Sequence, residues 1–208
     1  MTISAGTFLE RRSKKLSFAV NLWDDYSKSL PSGRIEVFLD DGRRATKNAS
    51  SYYLFLDLPE GEYRVQVRSE RYFDETSEPL NTATYNNKNP INMNLTPRPS
   101  YPFRPGETLM RGILLDGEGR PIPGGRIGGH AANKDFLSRT TETGEFVIYF
   151  GTLGEEDVVK EDERYFIKGH TDARIKISIE WAGRSKEMEL DEVEVGTTRS
   201  ITVLFNSL

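Results

Sequence analysis

Few side chains in this sequence could do chemistry. It holds two histidines, His130 and His170, and no cysteine. His130 ends the run Gly128-Gly129-His130, and His170 stands two residues before Asp172. Two imidazoles and a carboxylate suffice to ligate zinc if the fold brings them together. His130, His170 and Asp172 are therefore the candidate metal ligands, read against two polar histidines at strand ends. Carboxylates also cluster at Asp24-Asp25, at Asp40-Asp41 and at Asp116 with Glu118. Such pairs suit calcium or glycoside chemistry. Each also falls at a predicted turn, where Asp hydrogen-bonds its own backbone, and the turn reading is preferred. The zero cysteine count excludes a disulfide framework, a thiolate nucleophile and cysteine-ligated metals. No G-x-S-x-G elbow occurs. No catalytic residue is assigned, and the expectation is a non-enzymatic protein without a resident cofactor, zinc or calcium being the exceptions considered.

Aromatic side chains are the second class of candidate. Tyr72, Phe73, Tyr85, Tyr101 and Phe103 fall in predicted loops or a linker, outside the alternating core positions. Exposed rings on a β-sandwich grip sugars and protein partners. These five are the candidate ligand-binding residues, for a carbohydrate or a protein. The competing reading for Tyr101 and Phe103 is that they pack the linker onto its neighbours.

The elements that would position these residues have period two. Leu16, Phe18, Val20 and Leu22 alternate with smaller or polar residues; Ile35, Val37 and Leu39 follow, then Leu54, Leu56 and Leu58, then Tyr63, Val65 and Val67, then Ile91, Met93 and Leu95. Each reads as a half-buried strand. Turn chemistry separates them at Pro31-Ser32-Gly33, Asp41-Gly42 and Pro59-Glu60-Gly61. The second half predicts strands over 108–115, 125–130, 136–140, 145–150, 174–181, 185–190 and 198–205, with a hairpin turn at Trp181-Ala182-Gly183-Arg184.

Between the halves, Pro97, Pro99, Pro102 and Pro105 cannot join a central strand and favour a stiff extended segment. The chain is thus divided into a first sandwich over 1–97, a linker over 98–106 and a second sandwich over 107–208. Gly33-Arg34-Ile35 matches Gly125-Arg126-Ile127, and Gly61-Glu62-Tyr63 resembles Gly144-Glu145-Phe146, although these triplets could open non-equivalent strands. A divergent internal repeat follows. The acidic stretch 151–169 breaks the pattern. Val158, Val159, Tyr165 and Phe166 share one helical face, and acids gather at its start. It predicts a short helix or an acidic loop, able to hold a cation or a basic partner but better read as solvated.

Charge sets further bounds. Residues 1–99 carry 14 basic and 13 acidic side chains, and the remainder 14 and 19. A net charge of −4 argues against nucleic acid or an anionic membrane as partner. The basic run Arg11-Arg12-Ser13-Lys14-Lys15 reads as a solvated leader. No long apolar run suggests a membrane span. The N-terminus lacks the apolar region of a signal peptide, so a cytoplasmic protein is expected, or a cell-surface one if a leader has been removed. The sequons Asn48-Ala49-Ser50 and Asn94-Leu95-Thr96 do not decide between these.

Two segments resemble a known family. Met110–Ile127 places Asp116, Gly119, Pro121, Ile122 and Gly125 in a D-x-x-G-x-P-I turn and strand; Thr140–Ile148 adds Thr141, Gly144 and Phe146. These are similar to the carboxypeptidase regulatory-like domain, whose fold is a transthyretin-like (prealbumin-like) sandwich. Leu58-Pro59-Glu60-Gly61-Glu62-Tyr63-Arg64-Val65 resembles another signature of that family. The hydrolases of the transthyretin superfamily carry a C-terminal Tyr-Arg-Gly-Ser, whereas this sequence ends Leu204-Phe205-Asn206-Ser207-Leu208. The resemblance implies two tandem antiparallel β-sandwiches, transthyretin-like and Ig-like, with one helix or acidic loop inserted. It also implies an accessory role: a structural or protein-interaction module, with carbohydrate binding as the alternative.

Overall fold

Alternating apolar and polar residues become strands in both halves of the chain. The structure is a computed structural model that describes residues 13–86, 89–169, 174–190 and 192–206. The first half contains β1 (Leu16–Asp24), β2 (Ile35–Leu39), β3 (Thr46–Lys47), β4 (Tyr53–Leu56), β5 (Glu62–Tyr63), β6 (Val65–Ser69), β7 (Glu75–Thr76), β8 (Leu80–Asn81) and β9 (Ile91–Leu95). The second half contains β10 (Leu109–Asp116), β11 (Arg126–Ala131), β12 (Lys134–Arg139), β13 (Glu145–Tyr149), β14 (Val158–Glu161), β15 (Arg164–Ile167), β16 (Ile175–Trp181), β17 (Arg184–Leu190) and β18 (Thr198–Phe205). The fold is all-β. No described helix is long and apolar enough to cross a membrane.

The strands form sheets in the orders β3-β4-β1-β9, β2-β6-β7 and β5-β8, then β13-β10-β18, β12-β11-β16-β17 and β14-β15. Among the described residues, the buried apolar side chains gather into two cores. One draws on Phe18, Val20, Leu22, Val65 and Leu95, and the other on Met110, Leu114, Ile127, Ile177 and Val203. Burying one such side chain contributes about 1.5–3 kcal/mol, and the inward positions of each strand supply it.

The two halves share a wiring plan. In the first, β1 pairs antiparallel with β4 and parallel with β9; in the second, β10 pairs antiparallel with β13 and parallel with β18. The antiparallel set β2-β6-β7 likewise matches β11-β16-β17. The central strands end alike: Asp24 lies opposite Leu95, and Asp116 opposite Phe205. From these aspartates the chains run in step to Ile35 and Ile127, with Asp, Pro, Gly, Arg and Ile at matching positions.

Two expectations are corrected and one left open is decided. The sheets are mixed rather than purely antiparallel, because the last strand of each half returns beside the first and points the same way. The segment 151–169 is neither a helix nor a plain loop. A three-residue 3-10 turn, Glu155–Asp157, leads into the β14-β15 hairpin, whose turn places Asp162 and Glu163 at positive φ. Backbone bonds from Ile167 N–H to Val193 O and from Val195 N–H to Tyr165 O hold that hairpin against a neighbouring segment. Finally, Gly61 and Gly144 open non-equivalent strands: Gly144 leads into β13, the counterpart of β4, whereas Gly61 leads into β5 and β6.

Candidate functional site at the junction of the two cores

Among the described residues, the aspartate that ends β1 organises the most extensive cluster of buried hydrogen bonds. Asp24 is buried, and its Oδ1 accepts the backbone N–H of Tyr26 at 2.9 Å and of Ser27 at 3.3 Å. Its Oδ2 accepts the hydroxyls of Tyr72 at 3.0 Å and Tyr101 at 2.5 Å. Asp116, its counterpart, performs only the local part of this role. Its carboxylate accepts the N–H groups of Glu118 and Arg120 and meets the Arg120 guanidinium, which hold it below the usual carboxylate range. Asp41 likewise accepts the Arg43 N–H at 3.1 Å. The turn reading of these carboxylates thus describes their geometry.

Around Asp24 the rings form a continuous cluster. Tyr26 meets Tyr101, Phe103 and Tyr149 edge to face, at centroid distances of 5.3, 5.1 and 5.3 Å. Edge-to-face contact places the positive rim of one ring on the negative face of the next. The cluster joins the two halves. Tyr149, on β13, donates its hydroxyl to Asp25 Oδ2 at 2.7 Å, and Tyr26 donates to Glu107 Oε1 at 2.6 Å. Arg111 on β10 donates to the carbonyl of Pro99 at 2.6 Å and lies over the Phe103 ring. On another side Arg139 pairs with Glu75, and the guanidinium groups of Arg139 and Arg98 both lie over the Phe73 ring. Arg98 completes the seam through Glu142 at 2.8 Å.

Burial, and then the carboxylate acceptors, push the phenols of Tyr101 and Tyr149 well above their ordinary value. Burial also raises Tyr72, and it raises Tyr26 with help from the Glu107 hydrogen bond. At neutral pH these phenols are therefore fixed donors rather than acids or bases. Burial raises the Glu75 carboxyl as well, against the opposing pull of Arg139.

A cleft of about 440 Å³ opens beside Tyr149. Asp25, Lys28 and Thr96 line it from the first half, and Lys134, Asp135 and Phe136 from the second. Both of its lysines are paired. Lys28 meets Asp25 at 2.6 Å, and Lys134 meets the Thr152 carbonyl at 2.6 Å and Asp157 at 3.2 Å. Asp157 is buried; the Gly154 N–H first, and then Lys134 and Asn133, keep its carboxyl below the usual range.

The predicted site residues separate into groups. Tyr72 and Phe73 are buried, so the expectation that they lie exposed outside the core is corrected; Tyr101 is buried too, in keeping with the linker-packing reading. The Asp24 carboxylate draws two of these rings inward, and flanking arginines cover the third. Phe103 is half-buried in the junction cluster, in keeping with linker packing. Tyr85 is half-buried far along the first core, edge-on to Phe18 at 5.1 Å. His130 is exposed on β11, its Nδ1 2.9 Å from Asp135 on the facing strand. His170 and Asp172 lie outside the described residues. Among the described residues no group of three metal-ligating side chains comes together. The sequence reading missed Tyr26 and Tyr149. Tyr149 carried a signal: an aromatic on the outward side of a strand whose inward side already holds Phe146, Ile148 and Phe150.

Comparisons with known proteins were made by sequence and by structure. No family model matches the sequence, and no curated protein matches it. Among solved structures, the Bacillus anthracis TIE protein is similar at a TM-score of 0.33 and 9% identity, over 94% of this chain and 34% of that one. The chain thus spans about a third of the length of that protein.

Proposed function

We propose that the chain is a non-enzymatic structural module of a larger protein assembly or cell surface. In this reading it is built from two tandem transthyretin-like sandwiches of the carboxypeptidase regulatory-like kind. The observation that carries it is the junction. Two halves of like wiring are fastened by Tyr149 to Asp25, Tyr26 to Glu107, Arg139 to Glu75 and Arg98 to Glu142, around a proline-rich linker whose rings are packed. An interface of this kind resists relative motion more than a bare linker would. Its polar groups bond one another across the seam, which suits holding two bodies at a set angle. Protein surfaces at either end are the expected partners.

Residual dipolar couplings of the full-length protein test this reading. A rigid two-unit module gives one alignment tensor for both halves. Separate tensors, or hydrolytic turnover lost on substituting His130, would overturn it.

A further inference from the structure

In each half the first and last strands lie side by side and run parallel. Five residue pairs align β1 with β9, from Val20 opposite Ile91 to Asp24 opposite Leu95. Eight align β10 with β18, from Leu109 opposite Thr198 to Asp116 opposite Phe205. Each ladder gains one backbone bond at its end, Asp25 N–H to Leu95 O at 3.1 Å and Leu109 N–H to Thr197 O at 3.0 Å. On its other side each central strand is held by an antiparallel partner, β4 or β13. Phe18, Val20 and Leu22 anchor β1 in one core, and Met110 and Leu114 anchor β10 in the other.

This geometry fixes how tension acts. A pull along the chain enters a half at the start of its first strand and leaves at the end of its last. Because the two strands are parallel neighbours, those points sit at opposite ends of one ladder. The strands are drawn past each other lengthwise, and every bond of the ladder is loaded together. An antiparallel hairpin pulled from its adjoining ends opens one bond at a time instead.

We propose that the chain carries tension, its halves acting as two shear clamps in series with the longer clamp in the second half. The inference rests on reading the protein as a structural module and adds what such a module withstands. Resistance to force is a matter of unfolding rate, and the ladder is the barrier. The linker transmits load from β9 to β10 once the junction contacts give way.

Single-molecule pulling on the full-length protein tests it. The sequence has no cysteine, so introduced thiols give unique attachment points. Pulling between the two termini should give two ruptures, releasing roughly 250 Å of chain for the first half and roughly 300 Å for the second. The first half, with the shorter ladder, should yield at the lower force. The comparison geometry uses E118C with N206C. Both positions are exposed, and Asn206 Oδ1 lies 3.5 Å from where a Gly117 side chain would begin, so both handles sit at one end of the β10-β18 pair. Pulled there the ladder peels, and the second half should rupture at no more than about half its end-to-end force at equal loading rate. Equal forces in the two geometries would overturn the proposal, as would end-to-end rupture at the lower force. A mobile junction leaves these forces unchanged, and weak clamps leave the alignment tensor unchanged, so the two readings fail separately.

Discussion

Tyr149 donates its hydroxyl to Asp25 across 124 positions of sequence, at 2.7 Å. The bond joins the outward face of β13 to the turn that follows β1, and the same ring lies edge-on to Tyr26. Tyr149→Phe keeps the ring and removes the donor. A hydrogen bond to a carboxylate in a partly buried setting contributes about 1–2 kcal/mol. The variant should lose that much stability in urea. Its two halves should also align less uniformly, which dipolar couplings measure. Unchanged values in both measurements would show that the bond does not hold the junction.

Asp24 receives two tyrosine hydroxyls and two backbone N–H groups. Asp24→Ala strands two buried tyrosine hydroxyls in the first core and removes the acceptor of two part-buried backbone N–H groups. Leaving buried donors unpaired is among the costliest single changes, here about 3 kcal/mol or more. The loss should be confined mostly to the first half. The sequence has two tryptophans, the exposed Trp23 on β1 and the partly buried Trp181 on β16, one in each half. With Trp181 replaced by Phe, the Trp23 signal should unfold at clearly lower urea in the Asp24 variant. With Trp23 replaced by Phe, the Trp181 transition should shift less. Equal shifts would mean that the cores unfold as one unit.

Gly112 lies where β10 passes under the Phe146 ring. A Cβ there would come within 2.4 Å of Phe146 Cζ and 2.9 Å of Ile201 Cγ1. Gly112→Ala gains helpfully from lower chain entropy in the unfolded state, but overpacking costs about 1–3 kcal/mol, so a net loss is expected. Phe146→Leu opens the space. In the double variant the two losses should sum to less than their separate costs, which a double-mutant cycle reads directly. Strict additivity would place the alanine strain elsewhere.

Much of the architecture was legible in particular residues. Period two located β1, β2, β6, β9 and the strands of the second half other than β14 and β15 to within a residue or two. Asp116 with Gly119, and Gly144 before Phe146, form the turns that their types imply; Gly144 sits at φ +75°, with Leu114 O only 2.6 Å from any Cβ it could carry. Strand direction was not legible, since parallel and antiparallel pairing share one side-chain period. The hairpin of β14 and β15 was hidden because Val158, Val159, Tyr165 and Phe166 also fit a helical face; only pairing across a turn, Val159 opposite Phe166, distinguishes the two. The aromatic junction was half legible. Tyr72 and Tyr101 stood out for lying outside the alternation, but burial of a loop tyrosine needs an acceptor inside. That acceptor, Asp24, reads in sequence as an ordinary turn residue.

The phenols make a pH-dependent prediction. Tyr26, Tyr72, Tyr101 and Tyr149 all titrate above their ordinary value in the fold, burial being the largest cause in each. In the unfolded chain they lose protons near pH 10. Above about pH 10 the unfolded state therefore binds fewer protons than the native one, so stability falls as pH rises. Below that it is fully present. Each such tyrosine steepens the fall by about 1.4 kcal/mol per pH unit within the window between its two values. Thermal midpoints taken from about pH 8 to about pH 11 should be level at first and then drop steeply. Tyr149→Phe with Tyr101→Phe should lower the plateau and flatten the drop, because fewer phenols are left to ionise on unfolding. Tyrosinate absorbance supplies the second readout: of the nine tyrosines, those of the junction should ionise only as the protein unfolds. If all nine titrated together near pH 10 without unfolding, the junction phenols would be solvated, and the sealed seam between the two cores would be wrong.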